Sequence, residues 1–177
     1  MALLQTISKE NADGEVKTIY DGFMEKVGMI PKPFELLSVS PELMKIQAGS
    51  LTYFMGHPTL GFPLLSHIRY MVAVMHNYAY CTDLNKNFLK MQGLQDADVE
   101  NLTRDPSQTM LEDKDKAMLL FVLKAIKNPD SVEERDIAGL HDMGWKDRDI
   151  FDALTHGVSM VGHSVLMKAF KMDTCNT

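Results

Sequence analysis

Apolar residues recur at three- and four-residue steps along almost the whole chain, and this periodicity constrains the fold more than any other feature. Near the N-terminus, Val16, Ile19, Tyr20 and Phe23 follow this spacing, which places them on one face of a helix. Runs in which apolar and polar residues alternate, as in strands, are absent from the sequence. The sequence therefore predicts an all-α fold.

Breaks in the periodicity predict where the helices begin and end. Gly28 is expected to stop the first helix, and the two prolines of MIPKPF predict an interruption after it. The long apolar stretch from 63 to 93 is predicted as one nearly continuous, mostly buried helix. Further helices are predicted over residues 41–56, 96–104, 112–128, 131–144 and 146–170. No linker is long enough to separate domains, so we expect one domain over 1–177, with N-terminal helices in 1–62 and a core in 63–177.

Composition and charge exclude several classes of protein. The chain has 177 residues and a net charge of -6, whereas binding to nucleic acid needs a local excess of Lys and Arg. No stretch approaches the roughly 20 apolar residues that span a bilayer, and the N-terminus does not resemble a signal peptide. Cys81 and Cys175 are too few for a disulfide scaffold. We expect a cytoplasmic protein with neither nucleic acid nor membrane as a partner.

Cys81 lies in the segment HNYAYCTDLN and is the first candidate for chemistry. A reactive cysteine needs a helix N-terminus, a nearby cation or a partner thiol three positions away from it in a C-x-x-C motif. Tyr78 stands where that partner thiol would be, and Asn85, four residues on, stands where a base would be. Spacing alone therefore favours a buried, unreactive cysteine over a reactive one.

Arg69 is a charged residue within an apolar helical stretch. We expect it to pair with a carboxylate or to reach a subunit boundary. Anion binding is a more specific but less favoured alternative. The sequence has no Gly-rich phosphate loop, no H-E-x-x-H and no G-x-S-x-G. We therefore expect no cofactor and no metal.

Short segments along nearly the whole chain resemble one known family. These are the G-x-[VI]-P connection at 28–31, the S-P-E-L helix start at 40–43, Gly144-Trp145, and D-I-F at 149–151. Together they resemble the alkylhydroperoxidase D-like, or carboxymuconolactone decarboxylase-like, proteins. The resemblance implies a helical domain that forms a homo-oligomer, a trimer or a hexamer. Its Met- and aromatic-rich helix at 41–56 is a candidate interface.

In the peroxidase branch of that family, the catalytic segment reads E, eleven residues, then C-x-Y-C-x-x-x-H. Cys81 and Tyr80 match the second cysteine and the tyrosine. Tyr78 falls on the first cysteine, Asn85 on the histidine and Ser66 on the glutamate. The chain thus resembles a member with a degenerate C-x-x-C motif. A bridge from Cys81 to the C-terminal Cys175 is disfavoured, because distant cysteines rarely meet disulfide geometry by chance.

Two histidines extend this candidate site. His67 adjoins the position that holds glutamate in the family, and His163 lies on the helix that in the family packs near the cysteine motif. With Tyr78 and Cys81 they would form a proton relay or a weak metal site. Hydrogen-bonded histidines without a metal are the favoured interpretation, since no ligand-spaced motif is present.

Three functions are compatible with these residues. The first is a peroxidase-related, one-cysteine antioxidant oxidoreductase. In it Cys81 is discharged by a small-molecule thiol, and Tyr78, Tyr80, His67 or His163 supplies protons. The second is a decarboxylase-like enzyme without thiol chemistry, in which a histidine is the base. The third is a non-catalytic member that keeps the fold for binding or assembly.

Overall fold

A computed structural model describes residues 2–173 of the chain, and within this range it contains α-helices and short 3₁₀ turns but no strand. The all-α prediction is confirmed. The helices are α1 (Gly14–Val27), α2 (Lys32–Leu37), α3 (Pro41–Met55), α4 (Phe62–Met75), α5 (Ala79–Met91), α6 (Asp96–Arg104), α7 (Asp113–Lys127), α8 (Glu134–Asp142) and α9 (Asp147–Ala169). The 3₁₀ turns lie at Lys9–Asn11, Pro106–Gln108 and Pro129–Ser131.

The described residues form two compact units. One consists of residues 2–56 and 165–173, and the other of residues 57–164. The expectation of a single domain over 1–177 stays a prediction.

The first unit is built around the apolar faces of α1, α2 and α3. Its core consists of Val16, Tyr20, Phe34 and Met44. The hydroxyl of Tyr20 donates a hydrogen bond to the carbonyl of Ile7 at 2.9 Å. The buried ring of Tyr20 thus keeps a partner for its polar end, as buried tyrosines usually do.

The connection from α1 to α2 differs in part from the sequence prediction. Gly28 ends α1 as predicted, with a φ of 76°, and its amide donates to the carbonyls of Phe23 and Met24. The segment predicted as a simple break, however, contains α2, which begins at Lys32. That part of the prediction was wrong because a helix accepts proline in its first turn. The N–H that proline lacks has no partner within the helix at that position.

The second unit is organised around α4. This helix is buried on nearly all sides, and it packs against α5 and against α7. A helix that is apolar around most of its circumference needs neighbours on several faces. The helix α6 contacts α5, and α8 contacts α7.

The predicted continuous helix over 63–93 is interrupted at residues 76–78. Asn77 has a φ of 50°, a left-handed conformation that asparagine tolerates better than most residues. The chain restarts as α5 at Ala79, with Tyr78 at the N-cap position. The prediction of one helix was wrong, and the break places Cys81 in the first turn of a helix.

The register of α9 beside α4 depends on one part-buried polar pair, His57 and Asp152. His57, just before α4, accepts a hydrogen bond at Nδ1 from the amide of Leu60 at 3.0 Å. Its Nε2 therefore carries the proton and donates to the Asp152 carboxylate of α9 at 3.1 Å. His156 lies four residues after Asp152, so both side chains lie on the same side of α9.

Close packing at Gly157 also sets the distance between helices. A Cβ atom at this position would lie 2.8 Å from side-chain carbons of both Val122 and Ile126 of α7, and 3.4 Å from a carbon of Ile68 of α4. Such contacts are shorter than atoms tolerate, so only glycine allows this approach.

This packing predicts that Gly157→Ala destabilises the protein by about 1–3 kcal/mol, because the overpacking outweighs the higher helix propensity of alanine. The matched control is Gly162→Ala on the same helix, where an added Cβ meets nothing within 4 Å. We expect the control to be neutral or slightly stabilising in urea unfolding. A Gly157→Ala variant as stable as the control would contradict the proposed close packing.

Candidate functional site

Cys81 occupies a position that favours the charged form of a thiol. It is the third residue of α5 and lies at the N-terminal end of the helix. The helix dipole is positive at this end and stabilises a negative charge. The residue is buried, with 6% of its surface exposed. Its carbonyl accepts a hydrogen bond from Nδ2 of Asn85 at 2.8 Å.

The guanidinium of Arg69 joins α4 to this segment and to α9. Its Nε donates to Oδ1 of Asn85 at 2.8 Å, and its Nη1 donates to Nε2 of His156 at 3.3 Å. The rings of Phe62 and Phe88 flank it, with their centroids 5.6 Å and 6.0 Å from Cζ. These distances are in the range of cation–π interactions.

Within residues 2–173, no carboxylate forms an ion pair with Arg69. The expected carboxylate pair is therefore wrong for the described part of the chain. Burial lowers the pKa of Arg69 to about 10, and the charge of the nearby Cys81 acts in the opposite direction. The guanidinium stays protonated at neutral pH, and the electrostatic interaction with Cys81 favours the charged forms of both groups.

His156 is neutral in this arrangement. Its Nε2 accepts from Arg69, so the proton is on Nδ1, which donates to the carbonyl of Leu65. Burial lowers the pKa of His156 to about 3, and the charges of Arg69 and His163 act in the same direction. A neutral imidazole can hold the guanidinium in place without adding a second positive charge.

His67 has one ring nitrogen bonded and the other without a partner. Its Nδ1 lies 2.8 Å from the carbonyl of Pro63 and donates to it. Its Nε2 is buried and has no hydrogen-bond partner among the described residues. Burial lowers the pKa of His67, and the hydrogen bond to Pro63 raises it less. The result is a neutral imidazole whose Nε2 lone pair is available to accept a proton.

Ser66, at the position of the family's glutamate, is part of a closed hydrogen-bond chain. Its hydroxyl donates to the carbonyl of Pro63 at 2.9 Å and accepts from Nε2 of Gln92 at 2.8 Å. Gln92 also donates to the carbonyl of Phe88 at 3.0 Å. A serine hydroxyl does not ionise and relay protons as a carboxylate does, so Ser66 does not replace the chemistry of a glutamate at this position.

The remaining predicted site residues lie in the same unit. Tyr78 is fully buried at the start of α5, where its carbonyl accepts from the hydroxyl of Thr82. Tyr80 is also buried. His163 on α9 is half-buried, and burial lowers its pKa. Cys175 lies outside the described residues.

Two residues outside the predicted site, Arg69 and His156, are central to its geometry. Arg69 had a visible signal in the sequence, namely a charge inside an apolar helix, and His156 had one in sharing a helix face with His163. Neither signal identifies a partner. Among residues 2–173, no three His, Cys, Asp or Glu side chains are grouped so as to hold a metal ion.

Comparison with known proteins identifies the fold. A core of the alkylhydroperoxidase AhpD type, an uncharacterized peroxidase-related protein from Ralstonia eutropha JMP134, superposes with a TM-score of 0.83. The two are 16% identical, and the match covers 97% of this chain and 90% of that one. An uncharacterized peroxidase-related protein from Silicibacter sp. TM1040 gives a TM-score of 0.81 at 19% identity, with the same coverage.

The chain has the alkylhydroperoxidase D-like fold. At these identities the likeness concerns the fold, not the chemistry. No protein-family model and no curated protein matches the sequence. Among the described residues, no helix is long and apolar enough to cross a membrane.

The low pKa of His156 predicts a specific loss of stability in acid. The unfolded chain protonates this histidine near its ordinary pKa of 6.5, whereas the folded protein does so only near a pKa of 3. Between these values the unfolded state binds a proton that the folded state does not, so stability decreases as the pH falls. The contribution amounts to about 2 kcal/mol between about pH 6 and about pH 4.5.

The variant His156→Gln keeps an acceptor for Arg69 but does not titrate. We expect its unfolding free energy to depend less steeply on pH over this range, measured by urea denaturation. The exposed His141, which pairs with Asp147 at 2.8 Å, gives the control His141→Gln, which should keep the steep dependence. Equal slopes in wild type and His156→Gln would show that His156 is not buried as a neutral group.

Proposed function

We propose that this protein is a peroxidase-related thiol oxidoreductase that acts through Cys81 alone. The observation that carries the proposal is the environment of the thiol. Cys81 lies in the first turn of α5, and the charge of Arg69, which no carboxylate of residues 2–173 neutralises, acts on it. A helix start and a cation are two of the three features that activate a cysteine.

In the first step, the Cys81 thiolate attacks the terminal oxygen of a hydroperoxide. An S–O bond forms, the O–O bond breaks, and the alkoxide leaves and takes up a proton to become an alcohol. The sulfur is oxidised to a sulfenic acid, and the peroxide is reduced by two electrons.

The cycle is closed by a small-molecule thiol, because Tyr78 stands where a resolving cysteine would be. One thiol attacks the sulfenic sulfur, a mixed disulfide forms, and water leaves. A second thiol attacks the mixed disulfide, which releases the small-molecule disulfide and regenerates Cys81. The two thiols supply the two electrons that the peroxide accepted.

We predict that mild peroxide converts Cys81 to a sulfenic acid, which a dimedone-type reagent labels at the peptide containing residue 81. Peroxide consumption in the presence of a thiol should be abolished in Cys81→Ser and retained in Cys175→Ser. Peptide mass spectrometry and a coupled peroxidase assay measure the two outcomes.

The matched control removes the second cysteine rather than the first, so any general loss of thiol content is the same in both variants. If Cys81 stays unlabelled at several equivalents of peroxide in folded protein, the one-cysteine proposal is wrong.

A second candidate, a decarboxylase-like activity without thiol chemistry, is favoured by a separate observation. The buried Nε2 of His67 has no partner among the described residues and is held unprotonated, as a general base requires. Under this alternative, activity would persist in Cys81→Ser and would be lost in His67→Phe.

We also propose that the protein forms homo-oligomers through α3. Four large apolar side chains on or at the end of this helix are exposed: Leu43, Ile46, Tyr53 and Met55. Interface cores are enriched in aromatic residues and methionine. Exposed apolar side chains on one helix favour an interface in which a second copy of the chain buries them.

The variant Ile46→Glu should shift the protein to a smaller species, since a charge would have to be desolvated in the interface. Multi-angle light scattering measures the mass. Met91 at the end of α5 is 81% exposed, so Met91→Glu makes the same kind of change outside α3 and should leave the mass unchanged. A wild-type protein that is monomeric at all concentrations would refute the proposed interface.

A further inference from the structure

The guanidinium of Arg69 has an unused hydrogen-bonding group. Nε is bonded to Asn85 and Nη1 to His156, while Nη2 has no partner within residues 2–173. The side chain is mostly buried but keeps some exposure to solvent. A small solute can therefore reach a cation that is otherwise removed from water.

The two bonded partners of Arg69 are both neutral. An amide oxygen and an imidazole nitrogen stabilise a guanidinium by hydrogen bonding, but they do not neutralise its charge. Buried charges in proteins are normally paired, because removing them from water is costly. A positive charge that is held in place by neutral groups is a site that favours an anion.

The surroundings strengthen this preference. The rings of Phe62 and Phe88 lie within 6.0 Å of the guanidinium carbon and cover part of it. An ion pair formed here is screened less than one on the open surface. His156 stays neutral at physiological pH and keeps its acceptor nitrogen on Arg69.

We propose that Arg69 binds the carboxylate of the small molecule that reacts at Cys81. This inference rests on the proposed function in taking Cys81 as the reacting group. One guanidinium with one free amino group suits a single negative charge better than a phosphate, which needs more donors. The substrate class is therefore a small carboxylic acid that carries a hydroperoxide or a thiol.

The test uses two alkylating reagents that differ in charge, iodoacetate and iodoacetamide. With either one, the Cys81 sulfur attacks the CH₂ carbon, an S–C bond forms, and iodide leaves. The ratio of the two rate constants cancels the fraction of thiolate, since both reagents need the same thiolate. The ratio therefore reports attraction of the anionic reagent, separately from activation of the thiol. Peptide mass spectrometry follows Cys81 apart from Cys175.

We expect the ratio of the iodoacetate to the iodoacetamide rate constant at Cys81 to fall roughly tenfold in Arg69→Met. This fall corresponds to only part of the attraction between two opposite charges at close range. Arg69→Lys should keep part of the preference, because it keeps the charge but not the planar geometry. The control Lys86→Met removes one positive charge from α5 at a position that pairs with Asp96, and should leave the ratio unchanged. An equal ratio in wild type and Arg69→Met would overturn the proposal.

A second measurement needs no variant and so does not depend on the folding of one. Acetate and propionate should protect wild-type Cys81 from iodoacetamide in a saturable manner, whereas acetamide and propionamide at the same concentration should not. Absence of this difference would also overturn the proposal.

The source of the carboxylate is decided by a third comparison. Once Cys81 has been oxidised, 3-mercaptopropionate should reduce it faster than 2-mercaptoethanol if the carboxylate belongs to the thiol. If it belongs to the peroxide, oxidation by a carboxylate-bearing hydroperoxide should instead be faster than oxidation by a neutral one, and the two thiols should be equal.

Failure of this inference is distinguishable from failure of the proposed function. A charge-dependent alkylation ratio together with no sulfenic acid would leave the anion site intact and refute the peroxidase chemistry. Sulfenic acid formation with no charge preference would support the peroxidase chemistry and refute the anion site.

Discussion

The site depends on a positive charge that neutral groups hold in place. Arg69 of α4 is bonded to Asn85 of α5 and to His156 of α9, so one side chain ties three helices together. Each partner is in turn fixed by the backbone: Asn85 donates to the carbonyl of Cys81, and His156 donates to the carbonyl of Leu65. The guanidinium is therefore positioned by two bonded side chains whose own hydrogen bonds leave them little freedom.

This arrangement requires α9 to lie close to α4 and α7 in one register. Gly157 allows the close approach, and the His57–Asp152 pair selects the register one turn before His156. A shift of α9 by one residue would rotate His156 by about 100° around the helix and remove it from Arg69. The close packing at Gly157 and the position of His156 beside Arg69 are thus two consequences of the same helix contact.

Periodicity was sufficient to predict the all-α fold and most helix positions, because an apolar face is a local property of the sequence. It failed at residues 76–78, because the polar residues His76 and Asn77 are as compatible with a continuous helix as with a break, and neither glycine nor proline marks the end of α4. That single error hid the most informative fact about Cys81. A helix start carries the positive end of the helix dipole, which the middle of a helix lacks, so one misplaced boundary changed the expected environment of the thiol.

The partner of Arg69 could not be predicted for a different reason. A charge inside an apolar helix predicts that a compensating group exists, and a carboxylate is the ordinary compensating group. The described part of the chain supplies an amide and an imidazole instead, which come from residues 16 and 87 positions away. Such contacts depend on tertiary packing, and no local pattern encodes them.

In the proposed chemistry, the absence of a thiol at position 78 is related to the charge of Arg69, which no carboxylate of residues 2–173 neutralises. With a second cysteine in the motif, the resolving thiol would be part of the protein, and its local concentration would be fixed by the fold. With Tyr78 in that position, the resolving thiol has to come from solution, and its local concentration at Cys81 depends on binding. A cation beside the cysteine raises that concentration for thiols that carry a carboxylate. In this proposal Arg69 both favours the thiolate and recruits the molecule that reacts with it.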